Sequence, residues 1–247
     1  GLITNKTKAI MAVHLYGNPC DMSSLRKLCD EKKLLLIEDV AEALGSTYED
    51  KFLGTFGDVA SFSFFGNKTI TTGEGGMVVS NNKEIIDKVA SLKNQGASGK
   101  KYWYEEVGYN YRMTNICAAI GLSQVEQIEP ILIRKKAIAN LYQELLSSCP
   151  LDFQIIQSKG DSSCWLVSIL TDNKKTRDGL SKFLNQSGIE TRPFFYPAHT
   201  MPMFKQDSNF LIAEDLSSRG LNLPSFPDLS NQDVIKIAEC IKTFFRS

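Results

Sequence analysis

With 247 residues, 28 Lys and Arg against 28 Asp and Glu, and a formal net charge of zero, the chain can form one large domain or one domain with a smaller companion, and nothing in its charge calls for nucleic acid or an anionic membrane as partner. No apolar run approaches the about 20 residues that cross a bilayer, and Gly1 to Lys8 lacks the apolar segment of a secretory signal, so a cytoplasmic location is expected. The six cysteines, at 20, 29, 117, 149, 164 and 240, form no CxxC pair and no zinc-spaced cluster with His14 or His199, so reduced thiols and no metal site are expected.

The run Ala9 to Leu15 predicts a buried strand ending at Gly17 and Pro19. Asp21 stands where a helix N-cap belongs, and Met22, Leu25, Leu28 and Cys29 follow at helical spacing. A second apolar run, Leu34 to Ile37, stops at Glu38-Asp39. Strand, helix and strand within about thirty residues make a βαβ unit, hence a parallel sheet. Asp58 to Phe65 and Gly75 to Ser80 are further strand candidates. Helix-compatible sequence runs from Ile116 to about Ser147, with an interruption expected at Pro130.

After Cys149-Pro150 the texture changes. Short strands (Trp165 to Leu170, and near Ile189) alternate with helices over Thr176 to Gln186 and Gln232 to Phe245, and a Pro-rich loop runs from Pro193 to Pro202. The expected division is a large domain over 1–147 and a small α+β domain over 148–247.

Two residues anchor the chemistry. Asp39 falls at the carboxyl end of a parallel strand, where open sheets bind ligands; it is either a cofactor contact or the cap of a short helix over Val40 to Leu44. Lys68 lies between an aromatic strand and the turn Gly73-Glu74-Gly75-Gly76, which is neither a GxGxxG nor a Walker loop. Shielded there from water, its amine is suited to form an imine, although a lone loop lysine is more often simply solvated. Together, a lysine, an acid and small polar side chains are what pyridoxal 5'-phosphate (PLP) chemistry needs: an amine to carry the aldehyde, a carboxylate at the pyridine nitrogen and donors for the phosphate. His14 reads as structural.

Four segments in order, Asp39-Val40-Ala41-Glu42, Gly54-Thr55-Phe56-Gly57-Asp58, Ser63 to Gly76 and Gly108-Tyr109-Asn110-Tyr111-Arg112-Met113, resemble the DegT/DnrJ/StrS family of nucleotide-sugar aminotransferases. The resemblance is densest between His14 and Gly121. It implies the type I PLP-dependent aminotransferase fold, an α/β domain whose mostly parallel sheet lies between helices, followed by a small α+β domain.

By the same resemblance, Asp39 meets the pyridine nitrogen, Glu42 sits beside the ring's phenolic oxygen, and Ser63 binds phosphate. Lys68 carries the cofactor as a Schiff base. Asn110 reaches the phosphate of a neighbouring subunit, which implies a homodimer with shared active sites. Arg112 is equally a structural partner. Thr191 to Pro197 resembles the family's substrate-side loop, so Arg192, Tyr196 and His199 are candidates for the sugar nucleotide; an Arg suits a diphosphate by geometry and charge, and is otherwise a surface charge.

Within the family, Phe62 to Gly73 is most similar to C4 aminotransferases of 4-keto-6-deoxy sugars that serve cell-surface polysaccharide synthesis. The implied reaction is transamination from an amino acid, glutamate by resemblance. Related pyridoxamine-dependent dehydratases carry a histidine in place of Lys68. The family's usual upstream helix start, with its Gly-Thr or Gly-Ser phosphate turn, does not precede Asp39, so the 247-residue chain alone is expected to bind PLP weakly and to be inactive, with a non-catalytic homologue as the alternative.

Overall fold

The structure, a computed structural model, describes residues 1–97, 99–205 and 209–246. Their contacts divide the chain into two compact units, one of residues 1–132 and 156–165, the other of residues 133–155 and 166–247. The division thus falls earlier than 147 and is crossed again by 156–165.

The first unit is built on a four-stranded sheet in the order β1 (Ala9–Val13), β2 (Leu35–Asp39), β3 (Val59–Ser63), β4 (Gly76–Val79). β1, β2 and β3 are parallel, and β4 runs antiparallel to β3. Helix α1 (Met22–Lys32) joins β1 to β2. Asp21 caps it by accepting the Ser24 N–H at 3.1 Å, and the helix buries Met22 and Cys29. Those two side chains join Leu36, Ala60, Tyr48 and Leu53 in one apolar cluster.

β2 ends two residues later than the apolar run predicts, because Glu38 is fully buried yet completely partnered. It accepts N–H bonds from Gly54 (2.8 Å), Phe56 (2.8 Å) and Gly57 (2.6 Å) and lies 3.4 Å from His14 Nε2. A buried carboxylate with such partners costs the strand little. The Gly54 to Asp58 motif is the other half of this clamp. A Cβ on Gly57 would lie 2.8 Å from the Leu36 carbonyl oxygen, so only glycine brings its N–H so close. Asp58 completes it, accepting the Leu36 N–H at 2.7 Å and the Arg26 guanidinium at 3.2 Å.

Helix α2 (Lys83–Lys93), capped by Asn82, follows β4. The long helical stretch is two helices, α3 (Asn115–Val125) and α4 (Ile128–Leu145), bent by 62°. The break is at 126–127, ahead of Pro130, which sits in the first turn of α4 where its missing N–H has no helical partner to lose. Among the described residues no single helix is long and apolar enough to cross a membrane.

The second unit holds an antiparallel sheet in the order Arg192–Pro193, β6 (Gly220–Leu223), β5 (Val167–Leu170), Asp152–Phe153. Helices α5 (Lys174–Gln186), α6 (Leu211–Arg219) and α7 (Asn231–Arg246) complete it. The strand expected near Ile189 lies instead at Arg192–Pro193, since Gly188 at φ 75° and the bond from Ile189 N to Leu184 O spend that stretch closing α5. In the C-terminal half of α4, buried Lys135 donates to the Ser225 carbonyl (3.0 Å) and Tyr142 to that of Pro224 (3.1 Å).

Candidate active site

Strand alternation decides which side chains can meet. Leu36 enters the apolar cluster and Glu38, fully buried, shares its face, so Asp39 faces the other way. In register it stands between Val13 of β1 and Ser61 of β3, and Ser63, two residues beyond Ser61, shares that face at the carboxyl end of β3. An acid and two hydroxyls therefore gather where parallel strands end.

No helix follows Asp39. Val40 to Leu44 forms turns, and Asp39 Oδ1 accepts the Ala41 N–H at 3.0 Å, closing an Asx turn. Its second oxygen remains for another donor. The turn brings Glu42 round to the strand ends.

Lys68 is presented by a closed loop. Phe64 N donates to Gly75 O and Thr72 N to Phe64 O, both at 2.9 Å, while Thr71 Oγ1 donates to Phe64 O at 3.1 Å. A Cβ on Gly75 would lie 2.5 Å from Thr72 Oγ1, which is why the closure needs glycine there. At the loop's far end Lys68 N bonds Phe65 O at 3.0 Å. The Lys68 side chain is only 14% exposed, with Nζ 3.7 Å from Glu42 Oε1, an ion pair beyond hydrogen-bond length, and 4.2 Å from the Trp165 ring centroid.

Glu42 Oε2 accepts the Tyr16 N–H at 2.9 Å. Burial pushes the Glu42 carboxyl above its ordinary value; Asp39 pushes the same way, against the Tyr16 N–H and Lys68. Ser63 Oγ accepts the Phe65 N–H at 3.4 Å, so its hydroxyl proton is available to an anion. An amine, a carboxylate, a second carboxyl raised above its ordinary value and hydroxyls at the strand ends are a set that fits an anionic pyridine aldehyde. Among the described residues no group of three His, Cys, Asp or Glu side chains is placed to hold a metal.

Asn110 is exposed on the segment after α2, bridged to Asn94, and Arg112 donates to Asn94 Oδ1 at 3.4 Å. The remaining candidates belong to the second unit. Arg192 is exposed, with Nε 3.5 Å from Glu190 Oε1, and Tyr196 is exposed. His199 is held by Glu214 Oε1 at 2.9 Å and packs its ring against Phe210.

Tyr16 and Trp165 had no signal in the sequence, and His14, read there as structural, joins them. Tyr16 turns its N–H to Glu42 from a left-handed backbone conformation, φ 56°. Trp165, buried, stacks on Tyr16 with centroids 6.1 Å apart and donates Nε1–H to the Asn67 carbonyl at 2.8 Å. His14 donates its own N–H to the Asp39 carbonyl at 3.2 Å and accepts the Cys20 N–H at Nδ1, also at 3.2 Å. Burial pulls the His14 ring down, but hydrogen bonding with the Cys20 side chain and Glu38 raises it to about 8. Each of these contacts joins residues from different segments, so no local motif encodes it.

Residues 1–242 match the model of the DegT/DnrJ/EryC1/StrS aminotransferase family. The chain is 53% identical to a GDP-perosamine synthase of Vibrio cholerae, over 98% of its own length and 68% of the relative's. It thus spans about two thirds of that protein. Among solved structures it resembles DesV of S. venezuelae, in complex with a ketimine intermediate (TM-score 0.92, 30% identity, 99% of this chain and 67% of that one). It is similar also to a putative sugar aminotransferase, Spr1654 of Streptococcus pneumoniae, in its PLP form (TM-score 0.91, 26% identity, 99% and 70%).

Proposed function

The chain belongs to the DegT/DnrJ/EryC1/StrS aminotransferase family, and from that premise we propose that its substrate is a GDP-linked 4-keto-6-deoxy sugar, aminated at C4 with PLP as cofactor and glutamate as amino donor. The observation that carries the reading is the shielded Lys68 amine facing Glu42 beside the strand ends that bear Asp39 and Ser63.

When bound, PLP supplies an electron sink for the carbon that loses or gains a proton. Asp39 holds a proton at the pyridine nitrogen. Glu42, its carboxyl raised above its ordinary value, would stand beside the ring oxygen. The Ser63 hydroxyl donates to the phosphate. Lys68 would hold the cofactor through its amine and, when free, would be the base that takes a proton from the donor's α-carbon and the acid that gives it back. The same amine would serve the sugar. Asn110 contributes to the phosphate site of a second copy in a homodimer, and Arg192, Tyr196 and His199 to the sugar nucleotide. The 53% identity to a GDP-perosamine synthase supports the choice of sugar and carbon.

The test is a product assay of the full-length protein with glutamate and a panel of GDP-, UDP- and dTDP-linked keto sugars. Amination of the GDP-linked 4-keto-6-deoxy sugar at C4 is the expected result. Preference for another nucleotide, or amination at C3, overturns the substrate assignment.

A further inference from the structure

We infer that Trp165 is a positioning residue for Lys68, its indole face being where the Lys68 ammonium rests whenever that amine carries no carbonyl bond. The inference rests on Lys68 being the amine that forms and releases that bond.

The geometry is specific. Lys68 Nζ lies 4.2 Å from the ring centroid, well inside the about 6 Å reach of a cation–π contact. The ring is fixed on two sides, stacked on Tyr16 with an interplanar angle of 22° and anchored by Nε1–H to the carbonyl of Asn67. Asn67 directly precedes Lys68, so one indole ties down the lysine's backbone on its edge and its amine on its face.

Charge balance gives the ring its task. A cation this shielded must recover the hydration it loses. The Glu42 oxygen, an ion-pair contact at 3.7 Å, is too far for a hydrogen bond, and burial together with Asp39 raises its carboxyl above the ordinary value. Glu42 therefore gives the ammonium no hydrogen bond, and the closely placed π face of Trp165 supplements it. A lysine on a flexible four-carbon stem that leaves and returns in every cycle also needs a fixed place to wait.

The chain has two tryptophans, Trp103 and Trp165, so Trp103→Phe leaves Trp165 as the sole indole. In cofactor-free Trp103→Phe protein, Lys68→Met should change the Trp165 emission, because it removes a cation from the ring face. Emission indifferent to Lys68→Met overturns the inference, and this arm keeps Trp165 in place, so it does not depend on a tryptophan variant folding.

A second measurement reads the lysine directly. Trace acetylation of the cofactor-free protein, followed by peptide mass spectrometry, should show Lys68 reacting about tenfold faster in Trp165→Leu than in the parent, relative to the other lysines. Trp165→Phe keeps a ring face but loses the bond to Asn67, and should stay within about threefold. Equal rates in Leu and Phe variants would mean that the ring face does not hold the amine. Failure of the functional reading looks different: after borohydride reduction of the holoenzyme, a pyridoxyl label on another lysine overturns that reading while the emission response stands.

Discussion

Glu38 and Asp39 are adjacent in sequence and serve opposite faces of the same strand. Glu38 is buried on the face of the apolar cluster, where it fastens the turn 54–57 and faces His14; Asp39 points to the face that carries Ser61 and Ser63. The first acid fixes where the strand end lies, and the second uses that position.

Replacing Glu38 by Gln should destabilise the fold by about 3 kcal/mol, because an amide nitrogen would be forced against N–H donors and His14 would lose its anionic partner. Urea denaturation measures this through the midpoint at constant slope. A loss below about 0.5 kcal/mol would show that the three N–H bonds contribute little net stability.

His14 predicts a pH dependence. Its folded value is raised to about 8 from 6.5, so the stabilisation it contributes is complete below 6.5 and is lost as the pH rises through about 8. The unfolding free energy should fall by about 2 kcal/mol between roughly pH 6 and pH 9. His14→Asn should flatten that slope in a series of denaturation curves. The same slope in the variant assigns the effect elsewhere.

Asp39→Asn should harm turnover more than cofactor retention. The Asx turn survives, since an amide oxygen can still accept the Ala41 N–H, but the charge is gone. A loss of about 10²- to 10³-fold in kcat is expected, with PLP affinity changed far less. Near-normal kcat would leave Asp39 with the turn as its only task.

Lys68→Ala should abolish the visible absorbance of the covalently held cofactor and lower kcat by about 10³-fold or more, within the range of a general acid–base group that also carries the cofactor. Reduction with borohydride should leave the variant unlabelled. A labelled variant that still turns over transfers the role to another lysine.

Mixing Lys68→Ala subunits with Asn110→Ala subunits should restore activity if Asn110 serves the partner's phosphate site, because both defects then fall in one pocket and the second is intact. The readout is turnover of the mixed dimers against each inactive parent. No restoration means that Asn110 acts within its own subunit or not at all.

The sequence alone determined the βαβ start, the Asp21 cap and the α/β class. These are local matters: apolar periodicity, cap chemistry and motifs read within a dozen residues specify them. The lengths of β2 and of the α3–α4 break were not legible, since they depend on whether a buried acid finds donors at 54–57 and on where a proline falls within a turn. Nor was the contact of Trp165, 97 residues beyond Lys68, or of Tyr16, 26 residues before Glu42. Tertiary structure alone decided those contacts, because a side chain's charge balance is set by whatever the fold packs against it, and nothing in the neighbouring sequence records that.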